Sequence, residues 1–278
     1  MKIGILHERM RKDEKLLVEA AEKRDIEVEL INDEEVVFKL ERNGFDFDLV
    51  IERCINHARA LASLRIFNEL GIPTINSAEC AEICGSKFLV TEALLKNGVP
   101  TPKVCIAFSK EATLEAVKQM GLPCVFKPAI GSWGTLLAKA NDMDAAEAIV
   151  DHKEKLGSYH HSVFYIQEYI EKPGRDIRVF VVGDEVVGAV YRTGEHWITH
   201  VDRNAVLSRC PVTAELKKIA LRATRAVMGE IVAVDIVEAA DGLKVIEVEY
   251  TVEFSKFFPE LDSSVVAKML DYCVARIK

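Results

Sequence analysis

The chain has 278 residues, 49% of them apolar and 29% charged, enough for one large domain or two to three small ones around a sizeable core. A formal net charge of −8 argues against a nucleic-acid binder of the electrostatic kind. The opening MKIGILHERMRKDEK turns polar too early for a signal peptide, and no apolar run approaches the ~18 residues that cross a bilayer, so a cytoplasmic protein is expected.

In chain order, KIGILH (2–7) reads as a strand, DEKLLVEAAEKR as a helix by its apolar spacing, and IEVELI as a second strand. FDLVIERC is a third strand, ALASLRIFNEL a helix, and IPTIN a short buried strand after Gly71. This alternation predicts a parallel sheet with crossover helices over residues 1–80. Residues 78–97 read as two helical stretches around Gly85, the second closed by Gly98 and Pro-Thr-Pro. The pattern then changes. KVCIAF, PCVFKP, LLAKA and VFYIQEYI read as strands, with helices at 109–120 and 143–155 between them. DIRVFVVGDEVVGAVYR holds Gly183-Asp184 between apolar runs, a hairpin signal. LKKIALRATRAVM is helical, IVAVDIVEA and KVIEVEY form a second hairpin around Asp241-Gly242, and the tail SSVVAKMLDYCVARIK is a last helix. The expected fold class is α/β and α+β: a parallel α/β unit at 1–85, then two α+β units at 86–162 and 163–278. The seven cysteines include no C-x-x-C pair, so reduced and mostly buried thiols are expected.

Four stretches carry candidate chemistry. In VFKPAIGSWGTLLAK, Lys127 closes an apolar strand, where an ammonium is costly to bury without an anion. Gly131, Ser132, Trp133 and Gly134 then offer backbone N–H groups as phosphate loops do, although a plain turn beside a snorkelling lysine gives the same pattern. Lys87, early in the helix of GSKFLVTEALL, sits where the helix dipole favours anions; a shared anion would resolve this, and an exposed surface lysine is the alternative. In QEYIEKPGRDIRVF, strand-end backbone groups can meet an adenine ring and Asp176 can accept from ribose hydroxyls. Arg178 and Arg192 lie on facing strands of the next hairpin, suited to phosphate or carboxylate, or else to a solvated sheet face. Asp235 stands inside an apolar strand, and Glu247 and Glu249 are two apart on its neighbour, so they share a face. Three such carboxylates with no His or Cys favour magnesium, or manganese, bridging to a phosphate. Polar alternation explains Glu247 and Glu249 well but Asp235 poorly.

Taken together in this order, the residues resemble the ATP-grasp superfamily, through GSK, FKPAIGSWG, QEYI, DIR and an Asp…Glu-x-Glu set. ERCINHARALASLR, KPAIGSWGTLLAK, DHKEKLG, FYIQEYIEKPGRDIRVFVVG and EHWIT are similar to the RimK-like branch, and within it to the LysX group of ligases. Those ligases join α-aminoadipate to the C-terminal glutamate of the carrier protein LysW. The resemblance implies an ATP-grasp fold whose second and third units sandwich ATP. It implies that Lys87 and Lys127 grip the α- and β-phosphates and that Gly131 to Gly134 form a flap over them. Glu168 and Ile170 would meet adenine, and Asp176 the ribose. Arg178, Arg192 and Arg203 would hold phosphate or substrate, and Asp235, Glu247 and Glu249 would bind Mg²⁺ or Mn²⁺. It further implies an acylphosphate intermediate, an amine acceptor such as α-aminoadipate or glutamate, a small acidic LysW-like carrier as partner, and a homodimer or homotetramer.

The chain departs from that family at several positions. HVDRNA (200–205) stands where NTARGG is usual, so His200 replaces an asparagine and only Arg203 is kept. Ser86 replaces an aspartate, Thr135 the flap arginine, and Glu249 an asparagine of the metal set. A RimK-like glutamate ligase acting on a cofactor or a protein tail, and a non-catalytic ATP-binding homologue, therefore stand beside the leading reading.

Overall fold

Strand-forming runs sort into three sheets in the computed structural model, which describes residues 1–39, 44–130, 136–157 and 162–277. The first holds β1 (Lys2–His7), β2 (Glu27–Asn32), β3 (Leu49–Arg53) and β4 (Thr74–Ile75), all parallel, in the order β2-β1-β3-β4. Helices α1 (Lys12–Glu22) and α2 (His57–Glu69) make the crossovers. β3 reads LVIER and is buried along its whole length, as strands covered on both faces are. Asn56 caps α2 by accepting from the Arg59 backbone N–H at 3.1 Å, so that helix starts before the expected apolar run.

Two short helices follow, α3 (Ala78–Cys84) and α4 (Lys87–Lys96), each capped by a serine, Ser77 and Ser86. Gly85 parts them as expected. Its glycine character has a packing cause: a Cβ there would lie 2.1 Å from the His57 imidazole.

The second sheet holds β5 (Val104–Ala107), β6 (Cys124–Lys127), β7 (Ala138–Ala140) and β8 (Phe164–Glu168), antiparallel, in the order β5-β8-β6-β7. Helices α5 (Lys110–Met120) and α6 (Met143–Leu156) close its core around Val117, Phe126, Ala146, Val150 and Ile166. The sequence division at 162/163 placed β8 with the third unit. β8 instead bonds to β5 and β6, so the sheet boundary falls after Glu168. Strand order along the chain carries no mark of which sheet a strand will join.

The third sheet is antiparallel and largest: β9 (Arg175–Val182), β10 (Glu185–Thr193), β11 (Val206–Arg209), β12 (Ile231–Ala239) and β13 (Gly242–Glu249), in the order β11-β10-β9-β12-β13. Both expected hairpins form. β11, a mostly exposed edge strand, had no apolar alternation to announce it.

The two faces of this sheet divide the work. One packs Val179, Val181, Val232 and Val234 against α7 (Ala214–Ala226) and α4. The other packs Phe180, Val182, Val190 and Ala233 against Ile3, Ile5 and Ile51 of the first sheet and the closing helix α8 (Ser264–Ile277). By strand alternation, Arg178, Arg192 and Asp235 lie on this second face, beyond the apolar zone.

Asn76, 2% exposed, fastens the first sheet to the third. Its Nδ2 donates to the carbonyls of Ile231 and Tyr250, both at 2.7 Å, and its Oδ1 accepts from the N–H groups of Glu230 (2.7 Å) and Ile231 (3.0 Å). Replacing it by alanine strands buried backbone groups, so Asn76→Ala is expected to lower unfolding free energy by roughly 3–5 kcal/mol in a denaturant titration with unchanged slope.

Candidate active site

The register of the third sheet brings the charged residues together. Asp235 pairs with Arg178 across β9–β12 and with Glu247 across β12–β13. Arg178 grips Asp235 with Nε and Nη2, each at 2.8 Å, and its Nη2 also reaches Glu249 at 2.7 Å. Arg192 spans Asp235 (2.9 Å) and Asp176 (2.6 Å). All four of Asp176, Arg178, Arg192 and Asp235 are buried. Burial alone would raise the Asp235 pKa, but the two guanidinium groups outweigh it and hold the carboxyl well below the ordinary range. Burial works to lower the Arg178 pKa, and Asp235 and Glu249 more than reverse that.

Lysines close the group from the other units. Lys87, the first residue of α4, sets its ammonium 3.1 Å from Glu247. Lys127, at the end of β6, is buried, and no hydrogen bond or ion pair joins its ammonium to a described residue. Burial pushes its pKa down to about 8; Lys87 and Lys172 add to that, while Glu247 and Asp235 oppose it.

Two cavities meet here. The first, about 720 Å³ of open space, has Lys127, Lys172, Arg192 and His200 at its charged end. Its apolar lining is Val125, Leu137, Ile170, Val237 and Ile246, with Glu168 at the end of β8 and Tyr169 after it. Arg192 Nη1 and Gln167 Nε2 are buried donors without a partner among the described residues, and both residues line this cavity. Such donors call for a ligand's acceptor atoms. The second cavity lies between Arg11, Asn56 and His57 of the first unit and Glu249 at the end of β13, with Tyr250 and Glu253 beyond it. Glu247 lines both.

Of the residues singled out from sequence, Lys87, Lys127, Arg178, Arg192, Asp235, Glu247 and Glu249 gather in one cluster. Glu168 and Ile170 line the apolar end of the first cavity. Asp176 lines it too, and accepts from Arg192, from Thr199 Oγ1 at 2.5 Å and from Lys172 at 3.4 Å. Arg203 does not join them: it is exposed on a 3₁₀ turn at Val201–Arg203 and lines neither cavity. A polar turn ending in Asn204, with φ +60°, directs the chain back to β11 there. Gly131, Ser132, Trp133 and Gly134 lie outside the described residues.

Lys172 and Thr199 were not foreseen. Lys172 donates to Thr199 Oγ1 at 2.6 Å, so both are tied to Asp176. In sequence a lysine in Glu-Lys-Pro-Gly reads as a solvated turn, and only the buried aspartate four residues on hints otherwise. His57 and Tyr250, joined Nδ1 to Oη at 2.8 Å, were missed as well.

The donor set suits a hard divalent cation. Oxygens of Asp235, Glu247 and Glu249 come within 4.8 Å of one another. Burial raises the Glu249 pKa; Arg178 opposes this, and the crowding carboxylates Asp235 and Glu247 add to it. A cation among them relieves that repulsion.

Comparison with known proteins agrees with this geometry. The RimK-like ATP-grasp domain family matches residues 84–273, and the LysX preATP-grasp domain family matches residues 3–83. A glutamate–LysW ligase ArgX of Sulfurisphaera tokodaii is 32% identical over 275 residues, 98% of either chain. An α-aminoadipate–LysW ligase LysX of Saccharolobus solfataricus is 35% identical over 236 residues, 83% of this chain and 85% of that one. A RimK domain ATP-grasp protein of Sphaerobacter thermophilus superposes with a TM-score of 0.83 at 25% identity, over 98% of this chain and 99% of that one.

Removing the shared carboxylate leaves two buried cations on one face with a single carboxylate each, Glu249 for Arg178 and Asp176 for Arg192. Asp235→Ala is expected to destabilise the fold by roughly 3–5 kcal/mol, whereas Arg203→Ala stays within about 0.5 kcal/mol, both read from chemical denaturation.

Proposed function

Because this chain belongs to the RimK-like ATP-grasp family, whose curated relatives are ligases, we propose that it is an ATP-dependent carboxylate–amine ligase acting on a small acidic carrier of the LysW kind. Glutamate or α-aminoadipate is the amine, joined to the carrier's C-terminal glutamate. The observation that carries this reading is Glu247, which lines both cavities. A triphosphate in the first cavity and a carboxylate in the second would therefore meet at one cluster.

In this reading the adenine lies among Val125, Ile170, Val237 and Ile246, beside Glu168 at the strand end. Asp176 orients Arg192 and Lys172 and keeps a lone pair for a ribose hydroxyl. Lys87 and Lys127 hold phosphate oxygens, and Arg178 and Arg192 offset the charge that grows on the transferring phosphoryl group. Asp235, Glu247 and Glu249 would hold magnesium or manganese, which supplies charge neutralisation and orients phosphate oxygens. The carrier carboxylate takes up the γ-phosphoryl group as an acylphosphate, and the amine then displaces phosphate. Gly131 to Gly134, which lie outside the described residues, are proposed to help exclude the water that would hydrolyse that intermediate. No enzyme nucleophile takes part. Burial pushes the Cys54 thiol up, and contact with Cys80 together with burial does the same for Cys84, so neither cavity thiol is a thiolate near neutral pH.

The test is incubation with ATP, magnesium, a purified LysW-type carrier and either amino acid, following ADP release and the intact mass of the carrier. A gain of one amino-acid residue with stoichiometric ADP is expected; an unchanged carrier and no ADP from folded protein would sink the ligase reading. Lys127 adds a pH signature. Its ammonium is protonated below about pH 8 and bound phosphate favours that form, so affinity for ATP is flat below pH 8. Above it, affinity falls by up to about tenfold per unit, seen by calorimetry. Lys127→Met weakens binding and removes the inflection.

A further inference from the structure

The second cavity contains a proton acceptor that the ligase reading does not yet use. An amino acid reaches an acylphosphate as an ammonium ion, with no lone pair to attack. Something in the cavity must take its proton. The carboxylates there are engaged: Glu247 by Lys87 at 3.1 Å, Glu249 by Arg178 at 2.7 Å, and Glu253 by Arg11 at 3.2 Å and Lys256 at 2.9 Å. The Cys54 and Cys84 thiols keep their protons.

His57 is different. It stands at the start of α2, lines the cavity, and bonds through Nδ1 to Tyr250 Oη. Nε2 has no partner among the described residues. It lies on the side of Gly85, which also lines the cavity and whose missing side chain leaves the ring its room. Burial lowers the imidazole pKa, so the ring is neutral near pH 7 and its lone pair is available.

We propose that His57 Nε2 accepts the proton of the incoming amine, with Nδ1–H donating to Tyr250 Oη to keep the lone pair on Nε2. This rests on the ligase reading. One proton passes from the ammonium to Nε2. The freed pair forms the C–N bond, the bond from the acyl carbon to the bridging C–O–P oxygen breaks, and inorganic phosphate leaves with the electron pair of that broken bond and takes the second proton. His57 is then a catalytic residue and Tyr250 a positioning residue.

Hydroxylamine separates this step from the one before it, because it is uncharged at neutral pH and needs no base. Full-length protein with ATP, magnesium and a LysW-type carrier is assayed with hydroxylamine and, separately, with whichever of glutamate or α-aminoadipate the wild type accepts. His57→Gln is expected to lose about 100-fold in kcat for the amide while forming hydroxamate within about threefold of wild type. Its amide rate keeps climbing with pH where the wild type levels off. Tyr250→Phe shows the same selectivity with a smaller loss. Equal losses with both nucleophiles, or no loss with either, overturn the proton-transfer role. Hydroxamate formation by the variant itself reports that it is folded. A wild type that makes no hydroxamate overturns the underlying ligase reading, and the proposal with it.

Discussion

Asp235 between Arg178 and Arg192 is the interaction on which the centre depends. Two guanidinium groups buried on one sheet face would repel each other strongly in a low-dielectric setting. One carboxylate, gripped in bidentate fashion by Arg178 and touched by Arg192, removes most of that penalty. Asp176 and Glu249 extend the same alternation of sign outward along the sheet. The result is a fixed array of charges whose side chains have little freedom to rearrange. An array of that kind supports phosphoryl transfer, because its dipoles are in place before charge develops.

The array sits where it does because the third sheet is amphipathic along its strands and not only across its faces. On β9 the alternate residues Arg178, Phe180 and Val182 change from ionic to apolar within one face. The apolar half is covered by the first sheet and α8. The ionic half is met by Lys87 and the second sheet's Lys127, which overhang it from other parts of the chain. Asn76, which follows β4, locks the first of these junctions by satisfying backbone groups of Glu230, Ile231 and Tyr250 across it. Fold and site are thus one arrangement: the packing of Val90 and Leu94 of α4 against Val179 and Val181 also sets Lys87 against Glu247.

Much of this was legible in the sequence, for physical reasons. A lone aspartate in IVAVDIV has no explanation other than a buried partner, and Glu247 and Glu249 share a face by strand periodicity alone. Both hairpins were marked by Gly-containing turns between apolar runs. What escaped depends on tertiary context. The apolar content of β8 marks a strand but not its sheet. Lys172 and Thr199 owe their burial to Asp176, a partner that the turn-like Glu-Lys-Pro-Gly setting conceals. His57 and Tyr250 are 193 residues apart and either one alone reads as an ordinary core or surface residue. Arg203 was singled out by resemblance to a motif whose flanking residues have changed here. An exposed turn is where a segment with few apolar contacts comes to rest.

The two lysines play unequal parts, and the difference follows from their neighbours. Lys87 sits on Glu247, so a divalent cation and the Lys87 ammonium compete for the same carboxylate. In the proposed reading a phosphate at the N-terminus of α4 would serve both the Lys87 ammonium and the helix dipole. Lys127 has no ion pair among the described residues and its pKa falls through burial, so an incoming anion would favour its charged form. In that reading Lys87 would meet phosphate beside a carboxylate of the cation site, while Lys127 would meet phosphate alone.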